Sequence, residues 1–312
     1  PAKVVQAIRQ EQVTNSFGSP TLWRLVADYC AKEKVPLPSL RRVLCAGAPV
    51  PHALWEAAPQ FLMGGVLHSP YGATEALPVA TIAANERKAS TGGSQLGRPV
   101  PSARVKVIAI RDEVIETMAD AQEMPAGQMG EIIVSGPMVT REYDGMPEAT
   151  RAAKIYEGGD GCPPPSGGDP RHRAVLWHRM GDCGYFDSDG MLWFCGRKVE
   201  RVISEQGTFH TEPSEQPFRA HPAVKRCALV GLGVRGAQIP AIVIEPTVKI
   251  TSGAQTFVDE LRALGRIHPT ASVIRHFFFY APFPVDVRHN AKIHRMTLTR
   301  WANRNQAVIA RD

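Results

Sequence analysis

Hydrophobic positions over the first ninety residues follow two alternating periods. Val4, Val5 and Ile8 recur at helical spacing, and Val13 to Phe17 predicts a short strand. Ser19-Pro20 then opens a second helix, with the serine as N-cap and the proline in its first turn. Leu22, Leu25, Val26 and Tyr29 supply the apolar side of that helix. Arg42 to Cys45 predicts a strand, Pro51 to Phe61 a helix and Gly65 to His68 another strand. Strand and helix in alternation, with glycine-rich turns at strand ends, predict α/β architecture.

The middle of the chain has a different rhythm. Arg104 to Ile110, Gly130 to Ser135 and Met191 to Cys195 are short apolar runs separated by Gly, Pro and Asp turns, which predicts a β-rich region from about Ser90 to Cys195. Within it, Glu157 to Arg173 carries GGDG and PPPSGGD and predicts an exposed loop. Beyond Arg197, Cys227 to Val230 and Ala241 to Glu245 predict strands. Phe257 to Leu264 predicts a helix with Phe257, Val258, Leu261 and Leu264 on its apolar face. Val273 to Tyr280 predicts a further strand, and its Phe277, Phe278 and Phe279 suit a core better than a base-stacking strip.

A length of 312 residues leaves room for two or three domains, and 44% hydrophobic with 21% charged residues is ordinary for a globular protein. Charge changes the picture more. Lys and Arg number 19 against 21 Asp and Glu up to Cys195, but 17 against 9 from Gly196 onward. That basic last third suits a polyanion or a phosphate-bearing small molecule. Interleaved basic and aromatic residues are sparse, so no nucleic-acid partner is expected. The six cysteines, at 30, 45, 162, 183, 195 and 227, form no close CxxC pair, which predicts free cytosolic thiols rather than a zinc ribbon or a disulfide scaffold. His178, Cys183 and Cys195 lack diagnostic metal spacing. No apolar stretch approaches the ~20 residues that span a bilayer, and no secretory signal opens the chain, so a cytoplasmic location is expected. The chain starts at Pro1 inside a helical pattern, which predicts further sequence upstream.

The segment His68-Ser-Pro-Tyr-Gly-Ala-Thr-Glu75 is the first chemical constellation. A strand ending in a glycine-containing turn offers backbone N–H groups, a hydroxyl and a carboxylate within a few residues. Phosphate takes the donors, and a magnesium ion accompanying phosphate takes the carboxylate. The competing reading is an ordinary α/β turn with an N-capping threonine. Gly47-Ala48-Pro49 ends a strand in the same way. Asp182 and Arg197 each have a plain alternative, as a turn carboxylate and as a salt-bridge partner.

Five ordered motifs resemble the adenylate-forming superfamily of acyl-CoA synthetases, adenylation domains and luciferases. They are Tyr71-Gly72-Ala73-Thr74-Glu75, Gly97-Arg98-Pro99, Gly130-Glu131-Ile132 with Gly136-Pro137, Met180-Gly181-Asp182, and Gly196-Arg197. The resemblance implies a partial adenylate-forming α/β fold. Residues 1–90 would be part of the large α/β subdomain, 91–196 a small β-barrel-like subdomain and 197–312 a mobile α+β C-terminal lid. It further implies ATP and Mg2+ as cofactors. Gly47, Ala48, Pro49, Tyr71 and Gly72 would meet the nucleotide, with Gly47, Ala48 and Tyr71 beside the adenine. Thr74 would bind phosphate, Glu75 would hold magnesium, Asp182 would accept from the ribose hydroxyls and Arg197 would contact the nucleotide.

Near the end, Asn290-Ala291-Lys292 stands where the family has its terminal lysine motif, so Lys292 would neutralise charge as the carboxylate attacks the α-phosphate; a surface lysine is its plain alternative, and Arg295 reads as structural. Two positions depart from the pattern: Val199, beside Lys198, occupies the usual hinge position, and Ala291 replaces a glycine. The family's Ser/Thr/Gly-rich phosphate loop does not occur in these residues, so activity is expected to need an N-terminal portion of the same enzyme.

Within the superfamily, Leu44 to Val50, His68 to Pro78, His178 to Asp182, Leu192 to Lys198, Thr211-Glu212-Pro213 and His221 to Val224 resemble the olefin-biosynthesis synthetases. That likeness implies a long-chain β-hydroxy acid as substrate, closure to a β-lactone, and assembly with other olefin-biosynthesis enzymes. The alternatives are thioester formation with coenzyme A and, from a different class, a noncatalytic protein whose basic C-terminal domain binds nucleic acid.

Overall fold

The computed structural model describes residues 1–88, 92–158, 174–250, 252–286 and 292–311. It divides into two compact units, the first holding Pro1–Lys88 with Gln95–Trp193, the second Ala89–Ser94 with Phe194–Asp312. The expected loop from Glu157 to Arg173 lies almost wholly outside the described residues.

The first unit begins with α1 (Ala2–Gln10), β1 (Asn15–Gly18), α2 (Pro20–Glu33), β2 (Arg42–Cys45), α3 (His52–Leu62) and β3 (Val66–Ala73). The three strands are parallel, in register Phe17 to Leu44 and Leu44 to His68. Helix α2 starts where expected: the Ser19 hydroxyl accepts from the Leu22 N–H at 3.3 Å and Pro20 needs no partner for a missing N–H. Its buried face differs from the expected one. Trp23, Val26, Ala27 and Cys30 are buried, while Leu25 is 44% exposed. The largest side chain sets the face, and Trp23 stacks on Phe61 of α3 at 6.3 Å between ring centres.

Next come β4 (Ala76–Ala83), β5 (Ser94–Pro99), β6 (Arg104–Ile108), β7 (Gly130–Ser135), α4 (Pro147–Ala153), β8 (Lys154–Glu157), β9 (Val175–Phe186) and β10 (Leu192–Arg197). The expected β-barrel-like subdomain is not there. Among the described residues these strands join β1 to β3 in one open ten-stranded sheet, order β1-β2-β3-β4-β5-β10-β9-β7-β6, with β8 beside β9. Closure would need β6 to find a second strand, whereas β7 is its one strand partner and the β4–β5–β10 run continues the ladder into the parallel strands. The β-rich composition is real; its strands extend an existing sheet instead of rolling up.

The second unit contains a small hairpin, β11 (Val202–Ser204) and β12 (Gly207–Phe209), then α5 (Thr211–Arg219), β13 (Val224–Leu232), β14 (Ile239–Pro246), α6 (Ala254–Arg266), β15 (His276–Phe279), α7 (Arg295–Ala302) and β16 (Val308–Ile309). Strands β13 to β16 form a four-stranded sheet with helices on both faces. Cys227, Leu229, Ile242, Ile244 and Phe277 pack towards α5 and α6, and Ala228, Val230, Ala241, Val243 and Phe278 towards α7. The phenylalanine run thus splits between two cores by strand alternation. No helix of the described residues is long and apolar enough to cross a membrane.

Candidate functional site

Thr74 and Glu75 are the two turn residues of the β3–β4 hairpin, not the start of a helix, so Thr74 caps nothing. Gly72 is required there, because a Cβ would lie 2.6 Å from the Ala76 carbonyl oxygen. Thr74 is exposed and Glu75 half-buried. A strap of chain fastens the turn: the Thr140 N–H donates to the Glu75 carbonyl at 2.8 Å, and the Tyr143 hydroxyl donates to Glu75 Oε1 at 2.9 Å. Burial works against the Glu75 charge. The Tyr143 hydrogen bond, a backbone hydrogen bond, and the nearby His178 and Lys154 outweigh it and hold the carboxyl below its usual value.

Asp182 arrives from β9 on a bulge. Glu131 pairs with Cys183 and Ile133 with Arg179, so β9 carries two more residues between these points than β7 does. Gly181 takes φ +65 within the bulge, a value that favours glycine. The displaced Asp182 is buried, and the Tyr71 hydroxyl donates to its Oδ2 at 2.6 Å. Arg179 anchors the bulge from behind. Its guanidinium donates to Glu131 Oε2 at 2.7 Å and to the carbonyls of Arg111 and Glu113 at 2.6 and 2.9 Å. The fold therefore brings Tyr71 and Asp182 together, with Gly72, Thr74 and Glu75 following Tyr71 along the same hairpin. Gly47, Ala48 and Pro49 follow the C-terminal end of β2, the parallel neighbour of β3.

Three further residues escaped sequence reasoning in this role. Lys154, at the first position of β8, is only 2% exposed. Its Nζ donates to the Thr140 carbonyl at 2.5 Å and lies 3.2 Å from Nδ1 of buried His178. Burial lowers the His178 pKa to about 4, helped by the Lys154 charge and opposed by Glu75 and a backbone hydrogen bond. The ring is neutral, and Nδ1 accepts from the ammonium. Burial also draws Lys154 down to about 8, with Glu75 opposing. Tyr143 completes the group, its ring 5.9 Å from the ammonium. The one signal in the sequence was a lysine within the Ala152-Ala153-Lys154-Ile155 run, where an apolar side chain would suit the pattern.

Residues 1–144 match the family described as AMP-binding enzyme. The chain is 42% identical over 316 residues to an olefin beta-lactone synthetase of Xanthomonas campestris, covering 97% of this chain and 53% of that protein. It is 40% identical to an olefin beta-lactone synthetase of Stenotrophomonas maltophilia with the same coverage. Among solved structures, the amide bond synthetase McbA of Marinactinospora thermotolerans aligns with a TM-score of 0.74 at 27% identity, over 97% of this chain and 55% of that one. The chain belongs to the adenylate-forming superfamily. It spans about half the length of the curated relatives it matches.

For an adenylate-forming protein the donor set at the hairpin fits magnesium. Mg2+ takes one or two carboxylates plus phosphate oxygens and waters, and Glu75 is an ionised oxygen donor in the same turn as Thr74. No group of three or more His, Cys, Asp or Glu side chains placed to hold a metal occurs among the described residues. His178 is engaged by Lys154, and the five described cysteines are buried and form no disulfide among the described residues. A surface hollow of about 310 Å³ is lined by Asn15, Ser16, Phe17, Arg42 and Leu44 of β1 and β2.

The remaining candidates lie in the second unit. Arg197 is exposed at the end of β10, and Val199 is 65% exposed in the turn that follows. Lys292 is exposed next to the Val285–Ile293 bridge, and its carbonyl accepts from the Asp286 N–H at 2.9 Å. Asn290 and Ala291 lie outside the described residues. Arg295 is part of a buried ion network. It donates to Glu215 at 2.9 Å and to Glu200 at 3.3 Å, while Arg219 joins Glu215 to Glu212, which also accepts from the Ser94 hydroxyl at 2.7 Å.

Proposed function

We propose that the protein of which this chain is the match uses ATP to convert a long-chain β-hydroxy acid into its acyl-adenylate and closes that intermediate to a β-lactone. The identity of 42% across nearly the whole chain to an olefin beta-lactone synthetase carries the reading, and the Tyr71–Asp182 and Tyr143–Glu75 hydrogen bonds are consistent with a nucleotide site there. A carboxylate oxygen attacks the α-phosphorus as the bond to the β-phosphate bridge oxygen breaks, releasing pyrophosphate. The β-hydroxyl oxygen then attacks the acyl carbonyl, its proton passes to solvent, and the bond to AMP breaks.

In this reading Asp182, fixed by Tyr71, accepts from the ribose hydroxyls, and the Tyr71 ring flanks the adenine with Gly47, Ala48 and Pro49. Thr74 donates to phosphate. Glu75 holds the magnesium, which when bound neutralises phosphate charge. Arg197 contacts the nucleotide, and Lys292 places a cation where the two anions meet. Closure needs the hydroxyl held close to the carbonyl, and proximity is the main term available for it. Association with the other enzymes of olefin biosynthesis rests on the same likeness.

The test supplies a full-length protein containing this chain with ATP, magnesium and either a plain fatty acid or its β-hydroxy analogue, with and without coenzyme A. Lactone and AMP from the β-hydroxy acid without coenzyme A are expected. Turnover only when coenzyme A is present, with thioester as product, would replace lactone closure by acyl-CoA ligation.

A further inference from the structure

The Lys154 ammonium has no place in the reading above, yet it is nearly inaccessible to solvent. An apolar side chain would fill the same space without the cost of burying a charge. Its contacts converge on one short stretch. Nζ donates to the Thr140 carbonyl, and the Thr140 N–H donates to the Glu75 carbonyl at 2.8 Å. The same ammonium lies over the Tyr143 ring, whose hydroxyl holds Glu75 Oε1 at 2.9 Å. His178 Nδ1 accepts from it on the β9 side. The Tyr143 backbone is fixed in turn by the Thr150 hydroxyl, which accepts from the Tyr143 N–H at 2.9 Å. Every partner of Lys154 is thus either the strap over Glu75 or the strand that carries Asp182.

We propose that Lys154 is a positioning residue for the magnesium–nucleotide carboxylate: held by Thr140 and His178, it fixes the 140–143 strap that presents the Tyr143 hydroxyl to Glu75. The inference rests on the reading of Glu75 as the magnesium ligand. Groups that orient a ligating carboxylate typically contribute 10–100-fold in metal affinity, by about the same route in many sites. Removing the ammonium should free the strap, loosen Tyr143 and let Glu75 swing away from the metal.

The experiment measures Mn2+ binding by electron paramagnetic resonance in a full-length enzyme with a non-hydrolysable ATP analogue. Lys154→Met should weaken Mn2+ binding about ten-fold, and Tyr143→Phe by a similar factor. The double variant should bind no more weakly than the worse single one, because both act through one link. In turnover, the Mg2+ concentration for half-maximal rate should rise while kcat at saturating Mg2+ changes little, a split that general loss of structure would not produce. Unchanged Mn2+ affinity in a folded Lys154→Met protein, or losses that add in the double variant, would overturn the proposal. If Lys154→Met does not fold, Tyr143→Phe decides alone, and unchanged affinity there removes the link. Glu75→Gln separates the two failures. Normal Mn2+ binding in that variant overturns the magnesium assignment and this inference with it, whereas loss in Glu75→Gln without loss in Lys154→Met overturns the inference alone.

Discussion

Tyr71 donates its phenolic proton to Asp182 Oδ2 at 2.6 Å, tying the β3–β4 hairpin to the bulge of β9 across a sequence separation of 111 residues. In the proposed role, the bond leaves the ring in place to stack on the adenine while it aims a buried carboxylate. Tyr71→Phe keeps the ring and loses the aim. Because a hydrogen bond to a charged group contributes roughly 1.5–3 kcal/mol, the KM for ATP should rise by about ten-fold or more. The kcat for ATP–pyrophosphate exchange should hold. Asp182→Asn should raise the KM further, and a loss confined to kcat in either variant would contradict the assignment.

Lys292 should matter to one half-reaction. When carboxylate and α-phosphate approach, two anions meet, and a cation between them stabilises the transition state more than the separated reactants. Once the mixed anhydride exists, the nucleophile is a neutral hydroxyl and that repulsion is gone. Lys292→Ala in the full-length enzyme should slow adenylate formation by roughly 10²-fold. Presynthesised β-hydroxyacyl-adenylate should still close at near the parent rate. Equal losses in both steps would sink this division.

Acid should destabilise the fold well above the ordinary carboxylate range. His210, just ahead of α5, is 7% exposed, and its Nδ1 has no hydrogen-bond partner among the described residues. Burial first, then Arg201, lowers its pKa from 6.5 to about 4. The folded ring stays neutral while the unfolded one takes a proton near 6.5. Its stabilising share is therefore complete above that pH and is lost as pH falls towards 4. His178 acts in the same window. His210→Phe keeps the bulk and removes the titration, so chemical denaturation at pH 7 and 4.5 should show a smaller drop for the variant. Equal drops would show that His210 does not contribute.

Much of this fold was legible because its local signals agree with its final packing. Ser19-Pro20 starts α2, and the apolar run Gly130 to Ser135 coincides with β7. What stayed hidden depends on partners far along the chain. Strand β4 contains Pro78 and little alternation, and β9 runs through the polar His178 to Asp182, whose side chains meet partners far away in sequence, among them Lys154, Glu131, Arg111 and Tyr71. The barrel expectation failed for the same reason, since short strands and turns do not reveal which edge they will join. At the site, the Tyr71–Glu75 and Met180–Asp182 motifs were visible by resemblance. Lys154 was not, because a single lysine in an apolar stretch carries no sign of a buried partner.

The Arg295 guanidinium has one more consequence. Glu200 follows Arg197 by three positions, and Arg295 follows Lys292 by three. The ion pair between Glu200 and Arg295, shared with the fully buried Glu215, therefore couples the roots of the two segments that carry the second unit's candidate residues. Breaking a buried pair by removing one partner costs about 3–5 kcal/mol. Loss of either Glu200 or Arg295 would therefore loosen both segments together, the one that follows Arg197 and the one that follows Lys292.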